Sequence, residues 1–248
     1  MSQVSVVIPV YNTAAKFLEE AIDSVINQSF VDWELIIVND GSTRLETLKK
    51  LDEIASFNKK NIIIIHQKNK KISGALNTGI KNMNGDWWAG LASDDIWHAN
   101  KLAEQIEFIE IHPEAKVVYC DWDYINGESK TIRHFQEPEF KDRMEAGRYI
   151  IHDYFGTWTG LMIHKNVFNV VGMFNEAYPT REDYEMNTRI LNKFMMYRVP
   201  KTLFAYRLHS EQLTNSAHAG SKSADGKKYA EMARAVAIDY FGDSKETK

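Results

Sequence analysis

VSVVIPVYN, Val4–Asn12, is the stretch from which the rest of the chain is read. Val4 to Val10 is a β-branched run that ends on Pro9 and Asn12, the pattern of a buried strand entering a loop. From Thr13 the period changes. Phe17, Leu18, Ala21, Ile22, Val25 and Ile26 recur at helical spacing, with Thr13 or Asn12 as N-cap. Glu34–Val38 (ELIIV) is a second strand, stopped by Asn39-Asp40-Gly41-Ser42, and Leu45, Leu48, Leu51 and Ala55 mark a second helix. Ile62–Ile65 reads as a third strand, Gly74–Met83 as a short helix and Trp87–Ala92 as a fourth strand. Leu102, Ile106 and Ile109 line a helix that ends before Pro113.

Apolar strands alternating with amphipathic helices imply an α/β chain with a Rossmann-like, mainly parallel sheet and helices on both faces. In such sheets a ligand sits outside the carboxyl ends of the strands. That rule selects Pro9–Asn12, Asn39–Ser42, the Lys68–Ser73 loop and Ser93–Asp95.

The second half is less regular. Val117–Ile125 and Thr157–His164 read as strands, and Asn166–Val171 as a short helix closed by Gly172. Glu182–Leu191 reads as a helix, Phe194–Val199 and Thr202–Leu208 as two further strands. A polar, small-residue stretch (AHAGSKSADGKK) then precedes a last helix at about Tyr229–Phe241. The expected organisation is one domain over 1–215, split near 113 into two halves, followed by a linker and helix over 216–248.

The 248 residues carry a net charge of -4 with 26% charged and 44% hydrophobic residues, which excludes a disordered chain and a basic nucleic-acid grip. The only cysteine is Cys120, so no disulfide framework or thiolate zinc site is expected. The N-terminus lacks the pattern of a signal peptide, and no apolar run reaches the roughly 18–20 residues of a membrane span. A cytoplasmic protein is the expectation.

Asp94-Asp95 emerges directly from the fourth strand. Two adjacent acids repel unless a cation joins them, as a divalent metal carrying a diphosphate would; the alternative is a helix start, where Asp caps and meets the dipole. Asp40 is either turn chemistry or a carboxylate for a ribose or base edge. Tyr11 either packs or stacks on a planar ring. Lys68, Lys70 and Lys71 form either a solvated face or an offset for a diphosphate. Asp183 is either a dipole-complementing acid or a general base, and His209 either structural or a metal ligand. Trp87, Trp88, Trp97, Trp122 and Trp158 are either core or sugar platforms. There is no G-x-G-x-x-G and no G-x-x-x-x-G-K-[ST], and the PVYN loop holds no glycine, which disfavours dinucleotide oxidoreductases, P-loop NTPases and nucleotidyltransferases.

VSVVIPVYN, QSFVDWELIIVNDGS, ALNTGI and ASDD, in this order, resemble the family 2 glycosyltransferases of the GT-A fold, and VGMFNE, REDYE and YRLHS extend the likeness more weakly. The resemblance implies an inverting, metal-dependent transferase taking a sugar from a nucleotide-sugar donor, usually a UDP-sugar, to a glycan or lipid-linked acceptor. It places Pro9 and Tyr11 at the nucleoside, Asp40 on the base or ribose, Lys71 near the nucleotide and Asp94 on the ribose or donor sugar. Asp95 would bind Mn²⁺ or Mg²⁺ with His209 as a further ligand, and Asp183 would be the catalytic base. Three departures stand out: Ala92 replaces the first Asp of D-S-D-D, Lys71 stands where many relatives have Gly, and Phe174-Asn175-Glu176 replaces F-D-E. The competing expectation is a catalytically silent nucleotide-sugar-binding subunit. The last helix is expected to dock on the domain, to mediate a homodimer, or to rest peripherally on the inner face of a membrane.

Overall fold

The structure is a computed structural model that describes residues 3–57, 59–212 and 223–242. The first half alternates as the sequence leads one to expect: β1 (Val4–Val10), α1 (Ala15–Ile26), β2 (Trp33–Asn39), α2 (Leu45–Ser56), β3 (Ile62–His66), α3 (Lys71–Asn82), β4 (Trp87–Gly90), a two-residue β5 (Ile96–Trp97) and α4 (Lys101–Ile111). The second half comprises β6 (Val117–Ile125), β7 (Thr131–Phe135), α5 (Arg143–His152), a 3-10 turn at Trp158–Gly160, β8 (Met162–His164), α6 (Lys165–Val171), α7 (Glu182–Lys193), β9 (Tyr197–Arg207) and α8 (Ala224–Phe241).

One sheet runs through the molecule in the order β3-β2-β1-β4-β8-β6-β9-β5, with β7 on the far end of β6. β3, β2, β1 and β4 are mutually parallel, whereas β8 runs antiparallel between β4 and β6. β1 is buried on both faces, so its side chains sort by the strand's period of two. Val4, Val6, Ile8 and Val10 pack with Leu18, Ile22, Val25, Leu51 and Ile54 of α1 and α2. Val7 joins Ala75, Leu76 and Ile80 of α3 on the other face. Each such side chain removed from water contributes about 1.5–3 kcal/mol.

The ALNTGI motif has a steric explanation. A Cβ on Gly79 would stand 2.3 Å from Val7 Cγ1, so only glycine lets α3 lie this close to β1. Ser73 and Asn77, one turn apart on α3, hold the 174–178 segment: Ser73 Oγ donates to the Tyr178 carbonyl at 2.7 Å, and Asn77 Nδ2 to the Phe174 carbonyl at 2.9 Å and Glu176 at 3.0 Å.

Several elements depart from the sequence reading. The fourth strand stops at Gly90, and Leu91–Asp94 is already the ligand-side turn. The expected strand at Thr157–His164 is a 3-10 turn followed by three strand residues. The two strands expected at Phe194–Val199 and Thr202–Leu208 are one, β9, whose pairing with β6 shifts register at Cys120 to Trp122 to absorb Pro200. β7, β5 and α5 were not anticipated. The last helix docks on the domain: Ala233, Ala237 and Phe241 of α8 are buried in the core that α5 and α7 line, and the Phe241 ring fills the space a Cβ on Gly147 of α5 would need. The linker at 216–222 lies outside the described residues.

Candidate active site

The carboxyl ends of β1, β2 and β4 form one edge, and hydrogen bonds between their loops knit it together. Asn12 adopts a left-handed φ of 54°. Its amide nitrogen donates to Ser42 Oγ at 3.0 Å, and its Oδ1 accepts from the Thr43 and Arg44 amides at 2.7 and 2.8 Å. This joins the PVYN loop to NDGS. Thr13 and Ser93 hydroxyls meet at 2.6 Å and join PVYN to the Asp-Asp turn. Pro9 is buried within β1, whereas Tyr11, 54% exposed, stands free at the tip with its ring open to solvent.

Asp40 is 3% exposed. One oxygen, Oδ1, accepts from Gln67 Nε2 at 2.7 Å and from the Lys70 amide at 2.8 Å, so the lysine loop wraps around this carboxylate. Oδ2 carries no hydrogen bond among the described residues and is the atom left for a ligand. Lys71 is exposed and opens α3 with a left-handed φ of 62°. A glycine would hold that backbone without the roughly 1–2 kcal/mol a side chain incurs there, which accounts for the Gly that the resemblance expects.

The two adjacent acids divide their roles. They were expected to emerge together at the ligand edge, but Asp95 turns inward and is 2% exposed. Its Oδ1 accepts from the Arg207 amide at 2.9 Å and its Oδ2 from the Thr159 hydroxyl at 3.1 Å. Burial and the neighbouring Asp94 carboxylate push its carboxyl well above the usual range. Asp94 stays at the edge, where its Oδ2 lies 2.9 Å from His209 Nε2.

Arg207 fixes this turn. Its guanidinium is fully buried: Nε donates to the Asp94 carbonyl, Nη1 to Ser129 Oγ and the Asn126 carbonyl, and Nη2 to Glu20 of α1. It also lies 4.4 Å above the Phe17 ring, which in turn packs on His209 at 5.0 Å. Sequence reasoning quoted YRLHS but singled out only His209. The missed signal was an arginine inside the last apolar strand, a residue seldom buried without a dedicated partner.

Among the described residues no three His, Cys, Asp or Glu side chains converge as a metal cage. Asp94 with His209 fits a different arrangement, a carboxylate and an imidazole presenting two donors while phosphate oxygens and water complete the shell, as a divalent cation accepts when it arrives with a diphosphate. Asp95, the expected metal ligand, has each oxygen engaged by one hydrogen bond inside the fold.

Asp183 opens α7, half-buried, where backbone N–H groups and the helix dipole favour a negative charge. Its Oδ2 accepts from the Tyr154 hydroxyl at 2.7 Å and its Oδ1 from the Tyr184 amide at 2.8 Å. Burial raises its carboxyl above the ordinary value, with the Tyr154 hydrogen bond working against that rise. Beside it, burial and the Asp183 charge push Glu182 up to about 8. The five tryptophans weighed as sugar platforms are all buried, 0–8% exposed, and belong to the core.

The family profile described as "Glycosyl transferase family 2" matches residues 5–172. An uncharacterized glycosyltransferase of Rickettsia typhi is 32% identical over 219 residues, 86% of this chain and 66% of that protein. One of Haemophilus influenzae is 29% identical over 237 residues, 91% of this chain and 71% of that protein. The chain spans only 35% of a similar glycosyltransferase of Rickettsia felis, to which it is 31% identical. Among solved structures, S. aureus TarS 1-349 in complex with UDP-GlcNAc superposes with a TM-score of 0.74 at 20% identity, covering 96% of this chain and 66% of that one, and shares its GT-A fold. With two thirds of its length matched by the family profile, the chain belongs to glycosyl transferase family 2.

Proposed function

We propose that this protein is an inverting, metal-assisted glycosyltransferase that moves a sugar from a UDP-sugar to a hydroxyl of a glycan or lipid-linked acceptor. The observation that carries this reading is the division at the β4 tip: Asp95 is bound inside the fold, while Asp94 and His209 pair at the ligand edge. The TarS structures with UDP and UDP-GlcNAc support the choice of nucleotide. Residues up to about 113 hold the donor and residues 114–215 shape the acceptor side.

In this reading Tyr11 lies against the base, beside Pro9, and Asp40 Oδ2 accepts from the base or ribose. Lys71 faces the diphosphate with its positive charge. Asp94 and His209 would hold Mn²⁺ or Mg²⁺, which supplies positive charge against the departing diphosphate. Asp183 takes the proton of the acceptor hydroxyl. The acceptor oxygen forms its bond to the anomeric carbon as the bond from that carbon to the diphosphate oxygen breaks, and the electron pair leaves with UDP. Attack from the face opposite the leaving group inverts the configuration. Burial raises the Asp183 carboxyl above the ordinary value, which makes it the stronger proton acceptor.

The test is Asp183→Asn assayed for UDP release from UDP-GlcNAc with Mn²⁺, alongside UDP binding by calorimetry. The expected result is loss of turnover by about 10²-fold or more with UDP affinity retained. Unchanged turnover in the variant would refute the base assignment, and tight UDP-sugar binding by a wild type with no turnover on any acceptor would favour the silent binding subunit.

A further inference from the structure

We propose that Tyr154 is a positioning residue for Asp183, and that the segment around it is built to hold that carboxylate in place. The inference rests on Asp183 being the base, and it names a residue that neither the family motifs nor the sequence reading assigned.

Four hydrogen bonds carry it. Tyr154 donates its hydroxyl proton to Asp183 Oδ2 at 2.7 Å. Asn187 stands one helical turn beyond Asp183 on α7, and its Nδ2 donates to the Phe155 and Gly156 carbonyls at 2.9 and 2.7 Å. Asp183 and Asn187 thus reach the same three-residue segment from one face of one helix. From the other side, the Gly156 amide donates to Glu137 Oε1 at 2.7 Å, and Glu137 is itself 2% exposed. The segment is clamped between the helix that bears the base and the loop that follows β7.

Gly156 takes a φ of 70°, so the turn after Tyr154 suits glycine and no larger residue. The Tyr154 ring packs on Tyr184, with centroids 6.1 Å apart, and the Tyr184 hydroxyl donates to the Ile150 carbonyl at 2.6 Å. The ring that carries the donor therefore rests on a tyrosine that is itself anchored to α5. A phenol held this way constrains which lone pairs of Asp183 remain open to an acceptor hydroxyl.

The charged and titratable neighbours come from several elements. Arg181 and Glu182 precede Asp183 on its own segment, Asp153 precedes Tyr154 and accepts from its amide, Glu137 lies behind Tyr154, and Arg234 of α8 acts on Tyr184. Burial pushes Glu137 up to about 8, so it faces Tyr154 as a neutral acid at neutral pH and does not compete with Asp183 for the phenol proton. A hydrogen bond to an ionised carboxylate favours the ionised form. Tyr154 therefore opposes the effect of burial and keeps Asp183 ready to accept a proton.

The experiment is a carboxyl-carbon NMR titration of the full chain labelled at aspartate, with the Asp183 resonance assigned by its absence in Asp183→Asn. In Tyr154→Phe, which keeps the ring, the acid dissociation constant of Asp183 should fall by about tenfold. Incorporation of a fluorinated tyrosine at 154, a stronger donor, should raise it. The acidic limb of kcat/KM for UDP release from UDP-GlcNAc should move the same way in each protein, while UDP affinity stays unchanged. An Asp183 titration that does not respond to either replacement overturns the proposal. A titration that responds while Asp183→Asn retains full turnover leaves the Tyr154–Asp183 bond intact but refutes Asp183 as the base, which separates the two failures.

Discussion

Lys101 is the first residue of α4 and is wholly buried. Its Nζ donates to Gln105 Oε1 at 2.8 Å and lies 4.1 Å above the Trp97 ring, and no carboxylate pairs with it among the described residues. Burial lowers its ammonium from 10.5 to about 8. A shift of that size corresponds to roughly 3 kcal/mol by which the fold disfavours the charged form. The Trp97 face offsets part of this, roughly 1–2 kcal/mol for a desolvated cation over an indole. The sign follows from proton counts. Between about pH 8 and 10.5 the unfolded chain holds this proton and the folded chain does not, so stability rises with pH across that window. Below pH 8 the penalty is fully present. Lys101→Met keeps the stem's volume and removes the charge, leaving Gln105 Oε1 short of one bond at a cost of about 1 kcal/mol. The variant should be more stable than wild type by about 1 kcal/mol at pH 7 and should lose that advantage by pH 10. Urea unfolding of both proteins at several pH values isolates the effect, because every other titrating group cancels in the difference. A wild-type-minus-variant difference that is flat from pH 7 to 10 would refute the reasoning.

Three further outcomes are expected. Asp94→Asn or His209→Ala should weaken Mn²⁺-dependent UDP binding by about 10–100-fold with little change in Tm, whereas Asp95→Ala should lower stability by about 2–4 kcal/mol, because it strands the Arg207 amide and the Thr159 hydroxyl; calorimetry and thermal melts distinguish the two, and equal effects on both readouts would count against the division. Lys71→Gly should raise stability by about 1 kcal/mol by relieving the left-handed backbone and should weaken UDP binding several-fold by removing a charge, as denaturation and titration would show. Gly79→Ala should cost about 1–3 kcal/mol, read from urea unfolding, because the new methyl meets Val7.

The first half was legible because its strands are buried on both faces and its helices carry regular apolar stripes, so local pattern and global fold agree. The second half was not, for specific reasons. β7 is exposed along four of its five residues and offers no apolar alternation. α5 carries Gly147 at mid-length, a residue that argues against a helix in isolation and is required only because Phe241 of α8 packs there. Pro200 divides β9 in the sequence, and the register shift that accommodates it is a property of the pair with β6. Within the site, the edge residues Tyr11, Asp40 and Asp94 follow from strand ends. The separate surroundings of Asp94 and Asp95 do not, since two identical neighbours are told apart only by what distant segments bring to them: the Arg207 amide and Thr159 to Asp95, His209 to Asp94. Tyr154 gave no local signal because its partner lies 29 residues away.

Arg207 and His209 reach Asp94 across 113 and 115 residues of chain. The edge formed by the first strands therefore draws its last partners from β9 and the residues just beyond it. Without those partners the Asp-Asp turn would have no guanidinium to shape it and no imidazole to face it. The Asp94-Asp95 turn is thus held by contacts of long sequence separation and depends on the pairing of β9 with β6.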